Sequence, residues 1–327
     1  MFTFAGKLHI NNFSCIMANV IKIKKGLDIN LKGKASDVLL NGGKSESYAI
    51  VPDYYNGILP KVVAKVGEKV KAGSVLMIDK NRPEIKFVSP VSGEVTAVNR
   101  GEKRKVLSIV VKPDAQIEYE EFGKKNVASL QGAEVKEVLL NAGMWPFIKQ
   151  RPYDIVAAPL DTPRDIFVSA FYSAPLAPNF DFIVKGQEAD FQTGLNALAK
   201  LTNGKVYVGV RSGSVVSGMK GVEIVEVEGP HPAANVGVQI NHIKPVNKGE
   251  VVWTVNPADV IVIGRLFNKG VADFSRMVAI TGSETTERGY VKTISGCTIK
   301  SLVNGKVLGQ EPVSYTHLRA HETRHDL

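Results

Sequence analysis

Apolar and polar positions change rhythm twice along this chain. From residue 17 to about 113, short apolar runs recur at close spacing ("VIKIKKG", "SYAIVP", "KVVAKV", "SVLMID", "EIKFVSP", "GEVTAV", "KVLSIVV"), with Gly and Pro punctuating the stretch. Strand-length runs with that punctuation predict an all-β region. Two of its turns echo each other. "AKVGEKVKAGSVL" (64–76) and "TAVNRGEKRKVLS" (96–108) both place a Val and a Gly-containing turn before a basic stretch and a new strand, which predicts two related hairpin halves.

From 134 to 265 the pattern alternates between the two periods. "AEVKEVLLNAG" and "DFQTGLNALAKLT" read as amphipathic helices, while "RDIFVSAF" and "GKVYVGV" read as strands. "GVEIVEVEGPHP" is a strand running into a proline-framed loop, and the apolar run "DVIVIGRLF" reads as a further buried strand. Such alternation predicts a layered α/β sheet of Rossmann-like type. From 276 to 312, "RMVAITGSETTERGYVKTISGCTIKSLV" reads as strand, loop, strand and a helix beginning at Thr298. Both ends fall outside these patterns. Residues 1–16 look like a doubtful extension ahead of a better start at Met17. Residues 313–327, "VSYTHLRAHETRHDL", look like translated adapter sequence, so the natural chain is expected to continue past Pro312.

The duplicated hairpin region has the plan of a barrel-sandwich hybrid, the fold of lipoyl and biotinyl carrier domains. A carrier needs its acceptor lysine on a tight exposed turn, flanked by small residues or Met. Here the turn reads "MIDKNRPEIKF": Lys80 precedes Asn-Arg-Pro, and the usual lysine position falls nearer Arg82. The hairpin has a carrier's shape without its attachment signature, so neither Lys80 nor Lys86 is expected to be acylated.

Composition narrows the classes further. The chain has 327 residues, 41 Lys+Arg against 32 Asp+Glu, and a formal charge of +9. Setting aside both ends removes one lysine, two arginines and two acids and leaves +8. The densest clusters, "KIKKG" (22–26) and "RGEKRK" (100–105), are short and free of interleaved aromatics, so they read as solvated faces or hairpin tips and not as a nucleic-acid surface. No run approaches the roughly 18 apolar residues of a membrane span, and residues 1–16 make a poor secretory signal. A cytoplasmic chain is expected. Once residues 1–16 and Cys15 are set aside, Cys297 stands alone and reads as a packing residue. The loop "RSGSVVSGMKG" has glycines at P-loop spacing, but Met219 replaces the phosphate-binding lysine. No metal-ligand cluster is legible.

Taken in order, "IKIKKGLDINLKG", "FVSPVSGEVTAVNRGEKR", "KLTNGKVYVGV", "EGPHPAANVG" and "VVWTVNPADVIVIGRLF" resemble, collinearly over residues 17–312, the A-subunit family of the bacterial sodium-translocating NADH:quinone oxidoreductases. The resemblance implies three parts: a barrel-sandwich domain (17–113), an α/β Rossmann-like domain (134–265) and the start of a β-grasp, SLBB-like module (276–312), left with unpaired strand edges. It implies a peripheral component on the cytoplasmic face of the inner membrane that is not catalytic alone. Membrane subunits of the sodium pump would be its partners, with ubiquinone or menaquinone as substrate of the complex. NADH, flavins and the iron–sulfur centre would belong to partner subunits. Related electron-input subunits of Rnf-like machines hold flavin and NADH on a glycine-rich loop. At the matching helix end this chain has "NAGMWPFIKQRP", where Met144, Trp145 and Pro146 crowd a phosphate, so no cofactor is expected on this chain.

The candidate contact is the loop Gly229, Pro230, His231, Pro232. It follows a strand carboxyl end, where open α/β sheets bind ligands, and its prolines frame an imidazole able to bond a quinone or partner carbonyl. A purely structural turn is the competing reading. An acylated carrier and a flavin/NADH electron-input protein remain the rival functions.

Overall fold

A computed structural model describes residues 20–42 and 44–308. The extension at 1–16 with Cys15, the tail at 313–327 with His317, His321 and His325, and the end of the 276–312 module lie outside the described residues.

The barrel-sandwich unit is built of two antiparallel sheets. One has the order Tyr48–Ile50, Val106–Pro113, Gly93–Arg100, Lys69–Val70; the other has the order Pro60–Val62, Val75–Asp79, Lys86–Val88. Inward positions of both sheets, among them Leu76, Met77, Phe87, Val95, Ile109 and Val111, are buried between them. The basic tip expected at 100–105 is an exposed turn in which Lys103 and Arg104 adopt positive φ.

The α/β unit centres on a seven-stranded sheet with the order Val20–Lys22, Glu223–Glu228, Val206–Val210, Ile166–Ser169, Val252–Val255, Ile148–Arg151, Ile155–Val156. The first five are mutually parallel, Ile148–Arg151 runs opposite to them, and Ile155–Val156 pairs antiparallel to Ile148–Arg151. Helices cover both faces. Ile166, Val168 and Trp253 pack in the main core with Phe191 and Ile261 of helices Glu188–Ala199 and Pro257–Lys269, while Phe167 and Val252 meet Ile240 of helix Val236–Ile243. Successive strand residues point to opposite faces, so an all-apolar strand needs both covers. The two helices of the first face cross where Gly194 and Gly264 oppose the backbone of Val260 and Asp190; a Cβ at either glycine would strike a carbonyl.

Three sequence expectations change. The run "DVIVIGRLF" lies in the helix Pro257–Lys269, not in a strand. Asn256 caps it, Pro257 opens it, and Gly270 closes it at φ 77. Residues 260–267 are all buried, and a short apolar run buried throughout reads the same in a strand as in a helix. Even Arg265 is only 4% exposed, bonded to Asp273, Ser275 and Gln187. Second, the N-terminal run assigned to the β region pairs elsewhere. Val20–Lys22 lies parallel to Glu223–Glu228 as the edge of the α/β sheet, with Ile23 packed on Phe171 and Val227. Alternation of Ile and Lys specifies one covered face without specifying whose sheet covers it. Third, the module at 275–303 takes a strand from far along the chain: Leu39–Leu40 adds in parallel to Gly289–Ile294, which pairs on its other side with Ser275–Ile280, so Leu39–Leu40 and Ser275–Ile280 are the edge strands of a three-stranded sheet. Thr298 is the residue before helix Ile299–Val303, as expected.

Candidate functional site

Chain order places the sheet's crevice. From Ile166–Ser169 the chain lays down Val206–Val210 and Glu223–Glu228 on one flank, then returns to place Val252–Val255 on the other. The loops after the two central strands therefore diverge, and ligands of open α/β sheets bind where that reversal occurs. The first loop contributes Tyr172, the second Asn256. The Tyr172 hydroxyl donates to Asn256 Oδ1 at 3.3 Å, and the same oxygen accepts the Ala258 N–H at 3.0 Å, capping the helix. Asn256 Nδ2 has no bonded partner among the described residues.

A cleft of about 790 Å³ opens beside this pair. Its walls are Leu31, the 172–178 loop, Ile183 and the edge-strand segment 276–279, so all but the barrel unit contribute. A second hollow of about 620 Å³, on the side of strand Ile148–Arg151, shares Tyr172, Asn235 and Asn256 with it.

The charged pair at this seam is Asp259 with Arg276. Arg276 also lies 5.4 Å from the Phe147 ring centroid and bonds Ser295, so one guanidinium ties the 275–294 strands to the α/β unit. Burial opposes its charge, but Asp259 more than offsets that and keeps it protonated. Burial, with the nearby Asp259 carboxylate adding to it, pushes the Tyr172 and Tyr55 phenols up to about 12. Both are neutral hydroxyls at physiological pH. Lys149 is moved the other way, lowered by burial against the pull of Asp154 and Asp259.

The expected loop Gly229–Pro232 stands at the same end of the sheet, at the carboxyl end of Glu223–Glu228. Gly229 has φ 124, and a Cβ there would meet the Ile23 carbonyl, so the residue serves the close approach of the edge strand. His231 is held on three sides. Its N–H donates to Asp28 Oδ1 at 2.8 Å, its carbonyl accepts the Leu27 N–H at 2.9 Å, and Nδ1 lies 3.0 Å from Ser173 Oγ. Ser173, Ala234 and Asn235 line the 790 Å³ cleft; Gly229, Pro230, His231 and Pro232 stand behind them. Sequence reasoning pointed to this end of the sheet without naming Tyr172, Asn256, Asp259 or Arg276. "NPAD" at 256–259 was the legible signal, since Asn, Pro and an acid in that order mark a helix start.

The rejected motifs have structural occupations. In the 211–221 loop, Asp181 Oδ1 accepts from Ser214 Oγ and from the Val215 N–H at 3.2 Å, placing a carboxylate where a phosphate would need donors. Trp145 is buried and its indole donates to the Ala157 carbonyl at 2.9 Å. At the carrier-like turn, Arg82 pairs with the buried Asp79 at 2.8 Å and donates to the carbonyls of Val156 and Gly57. Lys86 bonds Asn141 Oδ1 at 2.8 Å, while Lys80 is exposed. Among the described residues no group of three or more His, Cys, Asp or Glu is arranged to hold a metal, and no helix is long and apolar enough to cross a membrane.

Three family models match the chain in order: the NqrA N-terminal barrel-sandwich hybrid domain over residues 21–114, the NqrA second alpha/beta domain over 130–272, and the NQRA C-terminal domain over 277–313. Among similar proteins, the A-subunit of the Na(+)-translocating NADH-quinone reductase of Hahella chejuensis is 37% identical over 293 residues, covering 88% of this chain and 65% of that protein. The proteins of the same name from Neisseria meningitidis serogroup A and Photorhabdus laumondii are each 35% identical over 88% of this chain, covering 66% and 65% of theirs. The chain thus spans just under two-thirds of the length of these relatives. A solved structure, the crystal structure of NAD+-reducing [NiFe]-hydrogenase in the air-oxidized state, aligns over 49% of this chain and 37% of its own at 10% identity and a TM-score of 0.33, too low to carry an argument.

Proposed function

The chain belongs to the NqrA family, the A-subunits of Na(+)-translocating NADH-quinone reductases, and on that premise we propose that it acts as a peripheral component of such a complex on the cytoplasmic face of the inner membrane. In this role it borders the route of the quinone, ubiquinone or menaquinone, and docks on membrane subunits. NADH oxidation, flavins and the iron–sulfur centre belong to its partners, and the complex couples electron transfer to sodium export.

The observation that carries this reading is the cleft at the strand reversal. A quinone ring is flat and apolar with two carbonyl acceptors, so it needs apolar walls and a small number of donors. Leu31, Leu176, Pro178, Ile183 and Met277 supply the walls, and the Asn256 amide and the Arg276 guanidinium stand at the wall as donors. Docking is supported by the segment beside the cleft. Leu27, Ile29 and Leu31 are exposed at alternate positions, with Lys24, Lys25, Lys32 and Lys34 around them. Exposed apolar side chains grouped in this way mark an interaction surface. The loop Gly229–Pro232 braces that segment through Asp28 and Leu27, and we assign it to partner contact on that account.

Both rivals meet specific obstacles. The position nearest a carrier's acyl-lysine is Arg82, immobilised by an ion pair and two carbonyls. The helix end that holds a glycine loop in electron-input subunits is filled by Met144 and Trp145. The test is affinity purification of the tagged full-length protein from membranes of its source. Co-purification with membrane subunits and a sodium-stimulated NADH-quinone reductase activity is expected. A protein recovered alone, or a mass increment of lipoyl or biotinyl size on Lys80 or Lys86, would overturn the proposal.

A further inference from the structure

The second hollow at the strand reversal, of about 620 Å³, has a chemistry the quinone reading does not use. Strand Ile148–Arg151 runs antiparallel to Val252–Val255, with Lys149 opposite Thr254 and Arg151 opposite Val252. Lys149, Arg151 and Thr254 therefore share one face of the sheet and line the hollow together. Opposite them, helix Val236–Ile243 starts at Asn235, whose side chain makes no capping bond. The N–H groups of Val236 and Gly237, both lining the hollow, have no acceptor among the described residues, and the space at Gly237 is open. A helix start presents partial positive charge and free donors, the usual setting for an oxyanion.

The sheet side independently lacks an acceptor. Thr254 is only 5% exposed, and its hydroxyl has no bonded partner among the described residues. Arg151 Nε is buried and equally without a partner. Arg151 is otherwise engaged by Asp154 at 3.3 Å, and Asp259 is paired with Arg276. The Lys149 ammonium, partly stripped of water, makes no hydrogen bond or ion pair among the described residues; it lies 5.6 Å from the Tyr55 ring centroid and within the field of the Asp154 and Asp259 carboxylates. A hydroxyl, a guanidinium nitrogen, an ammonium and two amides thus surround one hollow with their donors uncommitted. Of these, Thr254 and the Arg151 Nε are buried, and buried donors are rarely left so unless something accepts from them. The Asp154 and Asp259 carboxylates on the same lining are held by Arg151 and Arg276.

We propose that this hollow binds a phosphate-class oxyanion, held by the Val236 and Gly237 amides, the Thr254 hydroxyl and the Lys149 ammonium. The anion would be either free phosphate or the phosphate of an organic monoester whose remainder extends along the crevice past Tyr172. The proposal is independent of the quinone reading, because it concerns binding to this chain alone.

The test is calorimetric titration of the full chain, in a buffer free of phosphate and sulfate, with inorganic phosphate and with adenosine monophosphate. Saturable binding of at least one is expected. Lys149→Gln should weaken it at least tenfold. Val236→Pro should weaken it as well while keeping the fold, since proline is favoured at a first helical position, removes the amide donor and keeps an apolar group at the edge of the Phe167–Ile240–Val252 cluster. Thermal unfolding near that of the wild type confirms that each variant is folded. Monoester binding tenfold tighter than phosphate assigns the site to an organic phosphate; equal affinities assign it to the free ion. No saturable binding of either probe, or binding unchanged in both folded variants, overturns the proposal.

Discussion

The Tyr172 hydroxyl donates to Asn256 Oδ1 at 3.3 Å, joining the loops that follow the two central strands of the sheet. The same oxygen caps the helix Pro257–Lys269. Asn256→Ala should therefore cost about 1–2 kcal/mol, the worth of an N-cap, and Asn256→Asp should recover most of it. Urea unfolding measures both. Equal loss in the two variants would show that capping is not what Asn256 contributes.

Arg82 and Asp79 form a part-buried pair, 2.8 Å apart, that joins the barrel unit to the edge strand Ile155–Val156 through the Val156 carbonyl. Asp79 is 1% exposed and also accepts the Leu59 and Asn81 N–H groups. Arg82→Ala leaves that carboxylate without its cation and should cost about 3 kcal/mol or more. Arg82→Lys keeps the charge but cannot serve three acceptors from one planar fork, so it should recover only part of the loss. A fully stable Arg82→Ala protein would contradict the pairing and reopen the carrier reading.

Stability should fall at high pH through two phenols. Tyr55 and Tyr172 are pushed up to about 12 in the fold, against an ordinary value of 10.0. As pH rises through about 10 the unfolded chain gives up these protons while the folded chain retains them, so stability declines between about 10 and about 12. Tyr55→Phe should reduce the slope. Phenolate absorbance, followed against pH, should show two tyrosines that do not ionise in the native protein below about 12.

His231 and Gly229 should respond oppositely. The His231 backbone makes two of its three contacts, so His231→Ala should leave thermal stability within a few degrees of the wild type. Gly229→Val forces a side chain into the Ile23 carbonyl at positive φ, and it should detach the edge strand. Limited proteolysis should then cut between residues 20 and 34. Resistance there equal to that of the wild type would contradict the role given to Gly229.

The sequence made some of this legible for physical reasons. The barrel strands are short, antiparallel and punctuated by Gly and Pro, so local signals suffice. Helix 257–269 reads as a strand because its apolar run 260–267 is short and buried throughout, which fits either element, while the caps, Asn256 and Gly270, distinguish it. Val20–Lys22 and Leu39–Leu40 were readable as extended chain, but their partners lie about 200 or more residues away, and pairing at that distance is set by tertiary packing. The site divides in the same way. A rule about strand ends pointed to Gly229–Pro232, while the crevice itself depends on strand order, which placed Tyr172 against Asn256 and brought Arg276 to Asp259.

The central claim is that the cleft beside Tyr172 and Asn256 borders the quinone's route, and filling that cleft in the assembled complex tests it most directly. Ala177→Trp puts a bulky ring into the lining loop while leaving Asp259 and Arg276 themselves unchanged. Steady-state kinetics should show the KM for quinone raised about tenfold, a loss of roughly 1.4 kcal/mol of binding. NADH oxidation by a water-soluble one-electron acceptor should be unchanged. A complex that assembles normally and keeps the wild-type quinone KM would contradict the account.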